Sequence, residues 1–427
     1  MKKLKIAVIG SGSTYAPEII SGLIERRESI PVGTIALMDI DEHKNSIVSG
    51  LSIRMLKNAG MDVNAYLTTS IEEAVKDADY VLTQIRVGML DARIRDEKIP
   101  LKYGLLGQET TGAGGFMKAM RTIPVMLEIA GAIERLAPNA WLINFTNPSG
   151  LVTETLLNYT KVKAIGLCNC PINMIAGMEK FLDVKPLDYD FVGLNHLSFM
   201  TAVYKDGKEI LHDLIQQPME KSKIEEVLDA EYSHDLLKVI GAIPCSYLQY
   251  YYFRKNRVQK WQNAEKTRGE ECKEIEAELL VQYADENLVT KPEGLSKRGG
   301  ARYSEAAISL IDAIENNRGE YHTVNVRNAG ACPWLAPTDV VEIKCMVDKD
   351  GAHPQQPRDF DNAHLIGLMQ AVKSYEKLAA KAGVTGDYNM ALAALVSHPL
   401  IGDYEAAKPV LDEMLAANAE FLPQFKQ

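Results

Sequence analysis

The segment Lys5-Ile-Ala-Val-Ile-Gly10-Ser-Gly12-Ser-Thr14-Tyr15 carries the strongest architectural signal in the chain. Its unbroken apolar run reads as a strand buried on both faces, as in the middle of a parallel sheet. The glycines then supply a tight turn. Beyond it, Ile19, Ile20, Leu23 and Ile24 recur at helical spacing within Ala16–Arg26. Working outward, strand and helix keep alternating. Strands are predicted at Thr34–Asp39, Ala78–Ile85, Ala140–Phe145 and Val162–Leu167. Helices are predicted from Glu42 to about Ala59, over Lys118–Ala137 and over Ser149–Tyr159. Ser70-Ile-Glu-Glu73 reads as a capping box that opens one more short helix. This order predicts an α/β fold with a doubly wound parallel sheet.

The alternation stops near residue 190. Phe191–Asn195, Leu197–Tyr204 with its Asp206-Gly207 turn, and Glu209–Leu211 predict a β-rich insertion. Helical patterns follow near 223–241, 261–287 and 303–317, then a strand at Glu342–Val347 and helices over 361–382 and 402–421. The chain therefore divides into a unit of residues 1–190 built on the parallel sheet and an α+β C-terminal unit of residues 191–427.

Composition narrows the function. The 427 residues carry 47 basic and 57 acidic side chains, a formal charge of −10, which argues against a nucleic-acid partner. No stretch reaches the 18 or so apolar residues that span a bilayer, and the apolar run after Lys5 is too short for a signal peptide. A cytoplasmic protein is expected, without a membrane partner. Six cysteines (168, 170, 245, 272, 332 and 345) are too few for a disulfide framework in a chain of this length.

Several clusters carry chemistry. Gly10 and Gly12, with Ser13 and Thr14, stand where a dinucleotide pyrophosphate meets a helix N-terminus, although Tyr15 replaces the third glycine of G-x-G-x-x-G. Asp39, at the end of the second strand, suits the ribose hydroxyls of NAD. Cys168-Asn169-Cys170-Pro171 follows a strand, where open α/β sheets bind ligands. With His196 of Gly193-Leu-Asn-His196, Cys168 could hold a divalent metal, and two buried thiols before a proline turn is the plainer alternative. Gly107-Gln-Glu109-Thr-Thr-Gly112-Ala-Gly-Gly115 predicts a tight loop against a ligand or a surface turn. Arg86, Arg93 and Arg95 form either an anion clamp or surface pairs with Asp91, Asp96 and Glu97. The aromatic run Ser246–Phe253 reads first as packing. A tyrosine there becomes a base only beside a cation or metal.

Taken together, these motifs resemble the NAD- and metal-dependent glycoside hydrolases of family 4. The resemblance runs along nearly the whole chain. It rests on Gly10–Tyr15, Gln84-Ile-Arg-Val-Gly88, Lys102–Gly115, Asn144-Phe-Thr-Asn-Pro148, Gly166-Leu-Cys-Asn169, Gly193–His196, Tyr247-Leu-Gln-Tyr250 and Arg327-Asn328. It implies a Rossmann-type domain like that of lactate and malate dehydrogenases, joined to a substrate domain. It also implies NAD and Mn²⁺ as cofactors, a homodimer or homotetramer, and a phosphorylated disaccharide or β-glucoside 6-phosphate as substrate. By motif, Cys168 and His196 would ligate the metal and Tyr247 would be the base, with Glu109 raising its basicity. Arg93, Asn147 and Arg268 would contact the sugar phosphate, and Asn169 the substrate. The remaining five cysteines are expected to be packing. Cys170 stands where Val is found in the Cys-Asn-Val-Pro form of 6-phospho-β-glucosidases, and that swap is expected to matter little.

The family's mechanism lies outside the two-carboxylate scheme of most glycosidases. The resemblance implies oxidation at sugar C3, removal of the C2 proton by Tyr247, elimination of the aglycone, addition of water and re-reduction. Asn169 replaces the acidic residue of the 6-phospho-α-glucosidases and cannot donate a proton in its place, which leaves the leaving group's proton source open, with water as one candidate. The alternatives are a 6-phospho-α-glucosidase of the same family, a lactate/malate-type 2-hydroxy-acid dehydrogenase and a non-catalytic NAD-binding regulator.

Overall fold

The computed structural model describes residues 2–217, 232–298 and 302–426. The first half runs β1 (Leu4–Ile9), α1 (Ala16–Glu25), β2 (Val32–Met38), α2 (Glu42–Asn58), β3 (Asn64–Thr68), α3 (Ile71–Val75) and β4 (Tyr80–Thr83). It continues through α4 (Met89–Lys102), α5 (Gly112–Leu136), β5 (Trp141–Asn144), α6 (Ser149–Tyr159), β6 (Lys163–Gly166) and α7 (Asn169–Leu182). The strands lie in the order β3-β2-β1-β4-β5-β6, and every pair is parallel. That is the strand order of dinucleotide-binding sheets, which hold ligands beyond the carboxyl ends of their strands. The sheet is covered on both faces. Ile6 and Val8 of β1 pack with Ile19, Ile20, Ile35 and Leu37, while Ala7 and Ile9 face Ala36, Met38, Ile129 and Ile133. Successive strand residues point to opposite faces, so an apolar run with no polar alternation is what this burial demands.

The second half extends the same sheet. Its elements are β7 (Asp188–Leu194), β8 (Leu197–Lys205), β9 (Lys208–Glu209), α8 (Leu211–Gln216), α9 (His234–Ile240), β10 (Ile243–Pro244), α10 (Gln249–Tyr252), α11 (Arg254–Gln262) and α12 (Arg268–Tyr283). Then come α13 (Tyr303–Glu315), β11 (Glu320–Arg327), β12 (Val340–Asp348), β13 (Gly351–Pro354), α14 (Ala363–Thr385), α15 (Tyr388–Ser397) and α16 (Tyr404–Ala417). Antiparallel β11 joins β6 through one pair, Asn325 with Gly166, and the order continues β12-β7-β8-β10. The change from the parallel to the antiparallel part is thus a seam within one 13-stranded sheet.

Several elements differ from the sequence expectation. Helix α4 has a broken apolar pattern, because it buries charges among its apolar residues: Arg93, Asp96 and Glu97 are buried along with Leu90, Ala92 and Ile99. Gly112, Gly114 and Gly115 belong to the first turn of α5, and only residues 107–111 of that stretch form a loop. A Cβ on Gly114 would stand 2.3 Å from the Gln108 carbonyl oxygen and 2.6 Å from that of Asp96, so this glycine lets α5 approach the backbone before it. The pattern over 261–287 is two helices, because Thr267 caps α12 in a capping box with Glu270. At Ser70 only half of such a box forms: its hydroxyl accepts from Glu73 N, while the Glu73 carboxylate takes the Thr68 hydroxyl. Leu211 begins a helix rather than ending a strand, and β11, β13 and α15 are additional elements. The first part of the helical pattern near 223–241 lies outside the described residues. No helix among the described residues is long and apolar enough to cross a membrane.

Candidate active site

The carboxyl edge of the parallel strands gathers the polar motifs. Gly10 follows β1 with φ +91°, a conformation open to glycine, and a Cβ there would sit 2.9 Å from the Gln84 carbonyl oxygen. Gly12 N donates to the Asp39 carboxylate at 2.9 Å, and a Gly12 Cβ would collide with that same carboxylate. The glycine turn and the acid at the end of β2 are therefore built against each other. Ser13 Oγ accepts from Tyr15 N at 3.4 Å, and Thr14 hands its carbonyl to the Tyr283 hydroxyl at 2.9 Å. Thr14 Oγ1 is buried with no hydrogen-bond partner. A turn into which no side chain fits, an unpartnered hydroxyl and a half-buried acid suit a dinucleotide. Burial, more than any charge, pushes the Asp39 carboxyl up from its ordinary value.

At the next strands along that edge stand Asn147, after β5, and Cys168, after β6. Asn147 Oδ1 accepts from Ser149 N at 3.3 Å. Cys168 caps α7, with its sulfur accepting from Cys170 N at 3.4 Å, and half-buried Asn169 is the first residue of that helix. The Cys170 thiol, the His196 ring and the helix N-terminus all favour the Cys168 thiolate and overcome burial, holding its pKa well below the ordinary thiol value. His196 lies in the β7–β8 turn with φ +64°. Its Nδ1 is buried without a hydrogen-bond partner, and its ring stacks on Tyr247 at 3.7 Å between centroids and 13° between planes. Tyr247 follows β10 and meets Tyr250 edge-on at 5.7 Å. A thiolate beside an imidazole with a free nitrogen is a fitting donor pair for a divalent cation. Among the described residues no group of three or more His, Cys, Asp and Glu side chains could hold a metal. The pair would thus leave most coordination positions open to a ligand's oxygens.

Glu109 sits in a different field. Its carboxylate is bound by Arg86, by Arg93 Nη1 at 2.9 Å and by Lys118 Nζ at 2.8 Å. Burial alone would push this carboxyl up, yet the three cations hold it well below the usual carboxylate range. Burial and the Arg86 charge push Lys118 down to about 7. Arg93 also bonds Glu97 Oε1 at 2.8 Å, and Glu97 Oε2 accepts from Gly269 N at 2.7 Å. Glu97 thereby draws the start of α12 against Arg93, which brings Arg268 beside it. Arg268 is more exposed and pairs with Glu271 at 2.8 Å.

Known proteins agree with this arrangement. Residues 5–184 match the model of the "Family 4 glycosyl hydrolase" and residues 191–401 that of the "Family 4 glycosyl hydrolase C-terminal domain". The chain belongs to glycosyl hydrolase family 4. A relative from Bacillus subtilis (strain 168), named "Probable 6-phospho-beta-glucosidase", is 45% identical over 435 residues, 99% of this chain and 98% of its own. The solved 6-phospho-β-glucosidase of Thermotoga maritima, with manganese, NAD⁺ and glucose 6-phosphate, superposes with a TM-score of 0.89 at 37% identity, over 98% of this chain and 99% of that one. Lactate dehydrogenase from Eimeria maxima, at 15% identity and a TM-score of 0.55 over 90% of this chain and 96% of its own, shares the fold alone. The fold is accordingly Rossmann-like α/β with a C-terminal α+β extension, and the family 4 enzyme is a glycosidase.

Three expectations about the family 4 site change. The arginine cluster is not a set of surface pairs with Asp91, Asp96 and Glu97: Arg93 is buried between Glu97 and Glu109, Asp96 is buried against Arg121 at 2.6 Å, Asp91 pairs with Lys273, and Arg95 alone forms a partly exposed pair, with Glu420 at 3.8 Å. Cys170 is more than packing, because it is only half-buried and its sulfur lies 3.9 Å from the Ser246 hydroxyl. Cys272 likewise lies 3.6 Å from Arg93 Nη1 as an acceptor. Lys118, a third partner of Glu109 beside Arg86 and Arg93, carries no motif of its own. The signal available was the density of cations on either side of an acid within an acidic chain.

Proposed function

We propose that this family 4 enzyme hydrolyses 6-phospho-β-glucosides, such as cellobiose 6-phosphate, to glucose 6-phosphate and an aglycone. The observation that carries the reading is the cluster of Cys168, His196 and Tyr247 beside the carboxyl edge of a sheet with dinucleotide strand order. Gly10, Gly12, Ser13, Thr14 and Asp39 would hold NAD, and Cys168 with His196 would hold Mn²⁺. When bound, these supply a reversible hydride acceptor for sugar C3 and Lewis-acid polarisation of the C2 and C3 oxygens.

The chain's own residues do the rest. Arg93, Arg268 and Asn147 bind the 6-phosphate, an anion that the overall charge of −10 would otherwise repel. Asn169 orients the sugar. Tyr247 takes the C2 proton, which oxidation at C3 has made acidic. Burial first, then the Cys170 and Cys168 sulfurs, push the Tyr247 phenol well above its ordinary value. It therefore works as a base only where a cation offsets that field. Glu109 adds negative charge near the phenol, which supports its role in raising basicity. Asn169 has no proton to give to the departing oxygen, so water supplies it, and this residue also favours β- over α-glucosides. Residues 1–190 act as the NAD-binding unit and 191–427 as the substrate unit, in a cytoplasmic homodimer or homotetramer whose size light scattering would measure.

The test is an assay with p-nitrophenyl β-glucoside 6-phosphate. Nitrophenol release is expected only with both NAD⁺ and Mn²⁺ present, and without net NADH. Release from protein stripped of both would overturn the mechanism. Steady NADH accumulation would favour a dehydrogenase, and cleavage of the α-anomer alone would favour the 6-phospho-α-glucosidases.

A further inference from the structure

The two proposed metal ligands come from different parts of the sheet, Cys168 from the end of β6 and His196 from the β7–β8 turn. Between them the strand register lines up one lateral row: Gly166 of β6 pairs with Asn325 of β11, Asn325 with Glu342 of β12, Glu342 with Gly193 of β7, and Gly193 with Ser198 of β8. Glu342 is the middle of this row and is fully buried. Its Oε1 accepts from Asn195 Nδ2 at 3.1 Å and from Asn325 Nδ2 at 3.1 Å, and its Oε2 accepts from Ser198 Oγ at 2.7 Å. Asn325 Nδ2 also reaches the Gly166 carbonyl at 3.4 Å. One carboxyl group thus grips the strand that ends in Cys168 and both sides of the turn that holds His196.

Space at the ends of the row is reserved for this grip. A Cβ on Gly166 would come within 2.9 Å of the Asn325 Cβ, and one on Gly193 within 2.3 Å of the Ser198 Cα. Asn195 adds a second tether, since its Oδ1 accepts from Gly150 N at 3.2 Å at the start of α6. His196 itself sits in the left-handed region, at φ +64°, which a histidine keeps only when its surroundings hold it there. The residues doing so, Asn195 before it and Ser198 after it, both end on Glu342.

We infer that Glu342 is a positioning residue that fixes the spacing and direction of Cys168 and His196, and so sets the affinity for the divalent cation. It acts through Asn195, Ser198 and Asn325 and touches neither cation nor substrate. The inference rests on the proposed reading of Cys168 and His196 as a metal pair. Partners of this kind around metal ligands change affinity by about 10- to 100-fold when removed.

The test is a Mn²⁺ titration followed by electron paramagnetic resonance on wild type, Glu342→Leu, Glu342→Gln, Ser198→Ala and Cys168→Ser, each with NAD⁺ affinity measured as a check on the fold. Glutamine can still accept from both asparagines while its amide faces the Ser198 hydroxyl. Glu342→Gln should therefore stay within about threefold of wild type and Glu342→Leu should lose 10- to 100-fold. Ser198→Ala, which removes one donor and leaves the core filled, should fall between them. Crystal structures without metal should show His196 leaving its left-handed conformation in Glu342→Leu and keeping it in Glu342→Gln. Wild-type affinity and His196 geometry in Glu342→Leu would overturn the positioning role, as would equal losses in the Gln and Leu variants. Full Mn²⁺ affinity in Cys168→Ser would overturn the metal-pair reading itself and, with it, the proposed link to affinity.

Discussion

Half-buried Glu109, beside Tyr247, and fully buried Glu342, beside the Cys168 thiolate, are driven in opposite directions by their surroundings. Glu109 meets three cations, Arg86, Arg93 and Lys118, and is held ionised well below the ordinary range. Glu342 meets two amides and a hydroxyl, with the Cys168 charge nearby, and burial pushes it up to about 8. Burial disfavours the charge in both cases. What differs is whether full positive charges or neutral donors answer it. The pair divides the labour: Glu109 contributes a fixed negative charge near the base, and Glu342 contributes geometry.

The largest break in this comparison is expected at Tyr247, the tyrosine beside Glu109. Tyr247→Phe should lower kcat by about 10²- to 10⁴-fold, the usual worth of a positioned base, with NAD⁺ affinity intact; steady-state kinetics measure it. Glu109→Gln leaves three cations, of which Arg93 and Lys118 are buried, without their carboxylate and should cost about 3–5 kcal/mol of stability in urea unfolding, along with turnover. Lys118→Met removes one cation while both arginines remain, and a loss of about 1.5–3 kcal/mol is expected in the same experiment. A Lys118→Met loss equal to that of Glu109→Gln would show that the cluster fails as a unit.

A further effect is in pH dependence, and the two carboxyls give opposite signs. Native Glu342 keeps its proton up to about pH 8, whereas the unfolded chain releases it near 4.5. Its contribution to stability is therefore full below the lower value and fades as the pH rises through the higher one, by at most about 1.4 kcal/mol per pH unit. Native Glu109 stays ionised below its ordinary range, so its contribution is present above that range and fades as the pH falls. Urea unfolding of the metal-free protein should show Glu342→Gln gaining on wild type between about pH 5 and 8. A parallel pair of curves would contradict the assignment.

Much of the first half was legible because its signals are local. The run Ile6–Ile9, the turn at Gly10 and Gly12 and the acid at Asp39 lie at spacings that one βα unit enforces, and Cys168 follows a strand that its apolar run announces. Helix α4 was hidden because its buried face mixes Arg93, Asp96 and Glu97 with apolar residues, and the partners Arg121 and Glu109 lie elsewhere in the chain. The surroundings of Cys170 were hidden because volume suggests packing, while its half-buried sulfur meets the Ser246 hydroxyl from a distant segment. Glu342 was read only as the start of a strand. Its meaning needs the register of five strands, four of them antiparallel additions that no residue spacing reveals.

The central claim is that Tyr247 removes the C2 proton of a sugar whose cleavage proceeds by elimination. Hydrolysis of p-nitrophenyl β-glucoside 6-phosphate in D₂O, with NAD⁺ and Mn²⁺ present, tests it most directly through the C2 position of the glucose 6-phosphate formed. Solvent deuterium at C2 is the result this account predicts. Glucose 6-phosphate that keeps its original hydrogen at C2 throughout turnover would contradict it and point to direct displacement at the anomeric carbon.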